Sequence, residues 1–102
     1  MATFGIIHRF PGATAEQYDN AVRVVHPDGG KGLPPGQLYH CAGPVASGAP
    51  DGDFIVIAVW DSEASWTTFR DEVLLPSFAS LENGPPAPPV EITFGIHNEV
   101  TA

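Results

Sequence analysis

The chain has 102 residues, a length typical of one domain, and its four basic and twelve acidic residues give a formal net charge of −8. This acidity argues against a nucleic-acid partner, because the surface repels phosphate groups, and no apolar run approaches the ~18 residues of a membrane span. The one cysteine, Cys41, excludes an intramolecular disulfide and Cys-rich zinc sites. We expect one domain over residues 1–102, without a signal peptide or a membrane partner, in the reducing cytoplasm.

The first predicted elements are a strand and a helix. Phe4–Phe10 (FGIIHRF) alternates as a strand does and places His8 on the face of Phe4. Thr14, with Gln17 three residues later, is a capping-box pattern that predicts the start of a helix. Helical spacing continues to about residue 25 through Tyr18, Ala21, Val22 and Val25, and the segment PDGG that follows ends the helix.

Two further strands are predicted next. Residues 37–45 form the second strand, and Phe54–Trp60 (FIVIAVW) is an apolar run typical of a strand that is buried on both faces. Asp51-Gly52, between them, is a hairpin signal.

A second helix and a last strand complete the chain. Ser62 is expected to cap a helix through about residue 79, and Pro76 is expected to kink or end it. Its apolar stripe consists of Trp66, Phe69, Val73 and Leu74. NGPPAPP, residues 83–89, is a stiff extended link. Residues 90–98 form the last strand, with Val90, Ile92, Phe94 and Ile96 on one face.

The order β-α-β-β-α-β predicts a ferredoxin-like α+β sandwich, with a four-stranded antiparallel sheet and both helices on one face. We expect the aliphatic face of the third strand, Ile55, Ile57 and Val59, to meet the helices. The opposite face is then an exposed apolar patch, for which a second copy of the chain is the natural cover. We therefore expect a homodimer whose two sheets face each other.

The segments VWDSEASWTTFRDEVLLPSF and EITFGIHN, joined by the Pro-rich link, resemble the dimeric α+β barrel superfamily. They are most similar to small actinobacterial proteins near the antibiotic-biosynthesis monooxygenases. IIHRFPGATAEQYDNAV and LPPGQLYHCAGP fit the same pattern, so the resemblance covers nearly the whole chain. It implies a barrel-forming homodimer. Members of the superfamily include cofactor-free quinone-forming monooxygenases, heme-degrading enzymes, cyclases, dehydratases, isomerases and proteins without known activity, so the resemblance implies no single reaction.

Tyr39, His40 and Cys41 stand side by side in LPPGQLYHCAG. Neighbours in a strand point to opposite faces, so His40 cannot serve as the base of a Cys41 nucleophile. We expect Cys41 to be a small core residue and Tyr39 to pack under a helix on the same face.

Strand alternation predicts the candidate site. His40 shares a face with Leu38 and Ala42, and the sheet face that carries it is expected to be apolar, aromatic and rich in histidine. The candidate catalytic residues are His40 and His97, joined by His8 if the first strand presents its Phe4 face there. The candidate substrate-binding residues are Trp60, Phe54, Val56, Thr93 and Leu38. The alternative is a dimer-interface core in which each histidine has a hydrogen-bond partner.

A metal site is a second use of the same histidines. No HxH, HxxxH or HExxH spacing occurs, so a site would have to assemble across strands, with Glu91 or Asp53. We predict no metal. The resemblance implies that a heme-degrading member would hold its heme by a histidine from a helix, and the second helix here has none. No nucleotide-binding motif is present either, so we predict no cofactor. His26, at the end of the first helix, is interpreted as a cap residue.

The resulting hypothesis is a small, cofactor-independent enzyme that acts on a hydrophobic, polyketide-like or aromatic metabolite. The reaction would be oxygenation, cyclisation or isomerisation by His-mediated proton transfer, with Trp60 and Phe54 holding the ring. One alternative is a non-catalytic or stress-associated dimer that binds or sequesters a hydrophobic small molecule. Another is a structural dimer whose cavity is filled by side chains.

Overall fold

A computed structural model of the protein describes residues 2–50, 52–81 and 88–102. The elements are strands β1 (Phe4–Phe10), β2 (Gln37–Pro44), β3 (Phe54–Trp60) and β4 (Val90–Gly95), and helices α1 (Ala15–Val25), α2 (Glu63–Phe69) and α3 (Leu75–Ser80). The strands form one antiparallel sheet in the order β2-β3-β1-β4. This is the predicted ferredoxin-like α+β arrangement. The predicted Asp51 turn and residues 83–87 of the predicted extended link lie outside the described residues.

The helix starts follow from their caps. The Thr14 hydroxyl accepts a hydrogen bond from the Gln17 amide at 3.1 Å, and the Gln17 side chain accepts one from the Thr14 amide at 2.9 Å, which completes the predicted capping box. Ser62 caps α2 through the amide of Ser65. None of the described helices has the length and apolarity needed to cross a bilayer.

A π-helical turn, Arg70–Leu74, joins α2 to α3. Pro76 cannot donate a backbone hydrogen bond, and in an uninterrupted α-helix its ring would press on the carbonyl four residues earlier. The wider turn precedes this position, and Pro76 falls in the first turn of α3, where its missing amide hydrogen costs nothing. Helical structure therefore continues past Pro76.

The structure reverses the expected assignment of the two sheet faces. Trp60 is fully buried and Ile6 is 1% exposed, and both lie on the sheet face that the helices cover. Ile57 of β3 and Ile92 of β4 instead point away from the helices, with 36% and 54% of their surfaces exposed. Both faces of β3 are apolar, so the alternation of the sequence shows which side chains share a face but not which face the helices cover.

The open sheet face is the apolar surface that no helix covers; it carries Tyr39, Ile57, Ile92 and Phe94, among others. The Phe94 ring lies over Gly5 of β1, in the space that a Cβ atom on Gly5 would occupy. Tyr39 and Cys41 are exposed on this face, so the expectation that they pack beneath a helix was wrong. The expected separation of Cys41 from His40 is confirmed, because the two neighbours take opposite faces.

A β-bulge shifts the pairing of β2 between Gln37 and Tyr39. It places Gln37 on the buried side opposite Trp60, whereas Leu38 is turned out and 47% exposed. Downstream of the bulge, His40 pairs with Ala58 and faces the helices.

Candidate functional site

The inner cavity is a partly open space of about 170 Å³ between the sheet and the helices. Its floor is formed by Phe54, Val56 and Ala58 of β3, which are all buried. The side chains above them come from the helices and include Ala21, Val25, Phe69, Leu74 and Phe78. The wall is almost entirely apolar, with a few polar groups, which is the usual composition of a small-molecule site.

His40 and Tyr18 form the first polar group of the cavity. The Tyr18 hydroxyl, on α1, lies 2.6 Å from Nε2 of His40 on β2. Burial and, to a smaller degree, the neighbouring His26 lower the pKa of His40 to about 4. Burial followed by the negative charge of Asp19 raises the pKa of Tyr18 above its usual value. At neutral pH the pair is therefore an uncharged phenol beside an uncharged imidazole.

His26 lies next to His40. The two ring centroids are 4.5 Å apart and the ring planes are nearly perpendicular. Nδ1 of His26 is 2.9 Å from the Gly32 carbonyl, so this nitrogen carries a hydrogen and donates it. Burial lowers the pKa of His26, and the hydrogen bond to Gly32 opposes that shift. His26 is thus a buried member of the cavity as well as the C-cap residue of α1.

His8 and Glu91 form the second polar group. Nε2 of His8, on β1, is 2.8 Å from a carboxylate oxygen of Glu91, its cross-strand partner on β4. A carboxylate acceptor fixes this nitrogen as the donor and orients the ring. The His8 ring also contacts Phe10 and Trp66.

The two polar groups stand on opposite sides of the cavity floor. His40 is on β2 and His8 is on β1, with β3 between them. Because neighbouring strands are ~4.8 Å apart, the two backbones are separated by about 10 Å across the sheet. A ring that rests on β3 can therefore meet one imidazole on each side.

The structure brings together some of the predicted site residues. His40, His8, Phe54 and Val56 all line the inner cavity. The reversal of the sheet faces moves their shared space from a dimer interface to the gap beneath the helices.

Four other predicted residues do not line the cavity. Trp60 is completely buried in the core against Trp66 and Phe69. Leu38 is turned outward by the β2 bulge, and Thr93 is exposed on the edge strand β4. His97 follows the end of β4, which stops at Gly95 rather than at the predicted residue 98, and it is exposed.

Five polar residues of the cavity were not predicted as site residues: Tyr18, His26, Gln37, Arg70 and Glu91. Tyr18 was assigned to the apolar stripe of the first helix, because its hydroxyl has no partner that a sequence pattern reveals. The available signal was its position on the core face of that helix, since a buried Tyr hydroxyl normally needs a hydrogen-bond partner. Glu91 stands opposite His8 only through the β1–β4 register.

The carboxylates considered as metal ligands have other partners. Asp53 is buried, and it accepts hydrogen bonds from the Arg9 guanidinium and the Gly12 amide. Glu91 is engaged by His8. Within the described ranges, no three His, Cys, Asp or Glu side chains converge in a way that could hold a metal ion.

Comparison with known proteins identifies the fold. No family model matches the chain, and no curated protein shows significant similarity to it. The solved structure of Rv0793 from Mycobacterium tuberculosis is similar with a TM-score of 0.66 and 13% identity, over 97% of this chain and 99% of that chain. An anthrone oxidase-like protein is similar with a TM-score of 0.56 and 19% identity, over 99% of this chain and 49% of that chain, so this chain spans about half its length. The chain therefore has the ferredoxin-like α+β fold of these proteins.

Proposed function

We propose that the protein is a small enzyme of the antibiotic-biosynthesis-monooxygenase-like group, which transfers protons without a cofactor on a hydroxylated one-ring aromatic substrate. The Tyr18–His40 pair inside a largely apolar cavity is the observation that carries this proposal. His40 is uncharged at neutral pH and is therefore in the state that accepts a proton. A base held beside a substrate in a water-poor pocket contributes through both orientation and proton transfer.

The size of the inner cavity favours a single ring. A dry engineered cavity of ~150 Å³ binds benzene, and the inner cavity has about 170 Å³. Anthrone, the compound in the name of one structural neighbour, has three fused rings and needs a wider space. A one-ring, polyketide-like compound such as resorcinol fits this volume.

The two polar groups favour a substrate with two oxygen atoms. One hydroxyl of a ring on the β3 floor reaches the Tyr18–His40 pair, and the other reaches the ring of His8. Loss of a hydroxyl proton gives an electron-rich ring anion. This anion is the common starting point for protonation at carbon, for ring closure and for attack by oxygen, so proton abstraction is the step that the site performs.

The open sheet face supports a homodimer. Ile57, Ile92 and Phe94 each expose more than a third of their surface on it, and a second copy would remove this apolar area from water. The exposed thiol of Cys41 on the same face fits a reducing compartment, and we place the protein in the cytoplasm.

Deuterium incorporation into resorcinol tests the activity. The protein is incubated with resorcinol in deuterated buffer, and exchange of the ring C–H groups is followed by proton NMR. Wild type is expected to accelerate the exchange over buffer, and His40→Gln and His8→Gln are each expected to slow the catalysed rate by about 10²-fold, as for a positioned proton-transfer group. His97→Gln, which alters an exposed histidine outside the cavity, is the matched control and should keep the wild-type rate.

Binding measured by calorimetry on the same samples separates the two functions. Saturable binding of resorcinol without catalysed exchange would show that the protein binds this ligand but does not act on it as an enzyme. Absence of both would contradict a ligand site in the cavity.

A further inference from the structure

A reaction that begins with proton abstraction has to exchange protons with water, and Nδ1 of His40 is buried away from solvent. The outer groove is a wide surface depression lined by Pro27, Pro34, Ser65 and Glu72, among others. His26 lines both this groove and the inner cavity. It is therefore a polar side chain at the boundary between the two spaces.

We propose that Tyr18, His40 and His26 form a proton path between the inner cavity and the water of the outer groove. The purpose of the path rests on the proposed function, but the path itself is a property of the ligand-free protein. It begins at the Tyr18 hydroxyl in the cavity and ends at His26 beside the groove.

The hydrogen-bond partners fix the direction of the path. Nδ1 of His26 donates to the Gly32 carbonyl, so Nε2 of His26 is the acceptor. Nε2 of His40 is 2.6 Å from the Tyr18 hydroxyl, and Nδ1 of His40 is buried with no hydrogen-bond partner among the described residues. If Tyr18 donates to Nε2, then Nδ1 of His40 carries the hydrogen and has the adjacent His26 ring, 4.5 Å away between centroids, as its polar neighbour.

The transfer balances as a chain of single-proton steps. The substrate hydroxyl gives its proton to the Tyr18 oxygen while the Tyr18 proton passes to Nε2 of His40. The two rings are not hydrogen-bonded in the structure, so a ring rotation has to bring Nδ1 of His40 to Nε2 of His26 before the proton passes between them. His26 then releases one proton to water in the groove. The substrate is left with one negative charge, and the reverse sequence returns a proton and restores the starting tautomers.

The electrostatics of the two histidines agree with this direction. Burial makes a charged His40 costly, and its pKa of about 4 means that it does not retain a proton at neutral pH. His26 is also shifted downward, but the Gly32 carbonyl stabilises its charged form. The Gly32 carbonyl therefore favours a proton on His26.

Imidazole NMR on the ligand-free protein tests the path. Long-range proton–nitrogen spectra at neutral pH are expected to show His40 protonated at Nδ1. Exchange of that ring proton with water is measured next; in His26→Gln it should slow by about 10²-fold, the low end of what a positioned proton-transfer group contributes. His97→Gln is the control, and the exchange rate of its His40 ring proton should equal that of wild type.

Two results would overturn the path. One is a His40 ring protonated at Nε2 in wild type, a measurement that does not depend on whether His26→Gln folds. The other is exchange in a folded His26→Gln protein that is as fast as in wild type, or faster. Neither measurement uses a substrate, so failure of the path and failure of the proposed activity are observed separately.

Discussion

The Tyr18 hydroxyl, on the first helix, lies 2.6 Å from Nε2 of His40, on a strand 22 positions along the chain. This contact links α1 to β2 across one side of the inner cavity, and it determines the hydrogen bonding of both side chains. Without the Tyr18 hydroxyl, Nε2 of His40 would have no hydrogen-bond partner in this apolar surrounding. Burial keeps both side chains uncharged at neutral pH.

Removing this hydroxyl should destabilise the fold. Tyr18→Phe leaves Nε2 of His40 without its partner in a half-buried position, and we expect the free energy of unfolding to fall by about 1–3 kcal/mol, the cost of an unpaired buried polar atom. Urea denaturation measures the change. Ser47→Ala removes a hydroxyl from an exposed loop position and should leave the unfolding free energy unchanged. Equal effects of the two substitutions would contradict the contact.

The pH dependence of stability should report on His40. Its pKa is about 4 in the folded protein and 6.5 in the reference state, so the unfolded chain binds the proton first as the pH falls. The stabilisation is complete above pH 6.5 and is lost between pH 6.5 and about 4. We expect a loss of about 1–2 kcal/mol, because partial exposure to solvent reduces the full 1.36 kcal/mol per pKa unit.

The measurement compares wild type with His40→Gln in urea at a series of pH values. Carboxylates titrate in both proteins, so only the difference between the two curves reports on His40. A constant difference from pH 7 to pH 4 would show that the pKa of His40 is not lowered by folding.

Filling the inner cavity should prevent ligand binding while the fold persists. Ala58 lies on the cavity floor between the strands that carry His8 and His40, and Ala58→Leu adds three carbon atoms to that space. We expect calorimetric binding of resorcinol to be lost. Ala46→Leu makes the same change in an exposed loop and should bind as wild type does. Unaltered binding to Ala58→Leu would place the ligand elsewhere.

The open sheet face should control assembly. Sedimentation velocity is expected to show a dimer for wild type and a monomer for Ile57→Lys, because a buried lysine without a partner strongly opposes association. Val24→Lys alters an equally apolar residue on α1, 53% exposed and away from the sheet, and should remain dimeric. A monomeric wild type, or a dimeric Ile57→Lys protein, would contradict the proposed interface.

The sequence predicted the elements well because their signals are local. The Thr14–Gln17 capping box marks the start of α1 to the residue, and the period of two in Phe4–Phe10 identifies β1. His40, Phe54 and Val56 were correctly grouped on one face, since strand alternation needs no knowledge of the partner strands.

The remaining features depend on contacts between distant segments. Both faces of β3 are apolar, so periodicity could not decide which one the helices cover. Because of the register shift at Gln37, Gln37 rather than Leu38 lies on the inner face, and no turn residue in the sequence indicates that bulge. The pairings of Tyr18 with His40 and of His8 with Glu91 exist only once helix and strands are assembled.

The position of a bound one-ring ligand tests the central claim most directly. Crystals grown with 4-iodophenol, a hydroxylated single ring that carries an anomalous scatterer, locate the ligand without assumptions about the reaction. Our account predicts an iodine peak in the inner cavity, above Val56, with the phenol oxygen within hydrogen-bonding distance of Tyr18 or His8. An iodine peak confined to the open sheet face, beside Ile57 and Tyr39, would contradict it.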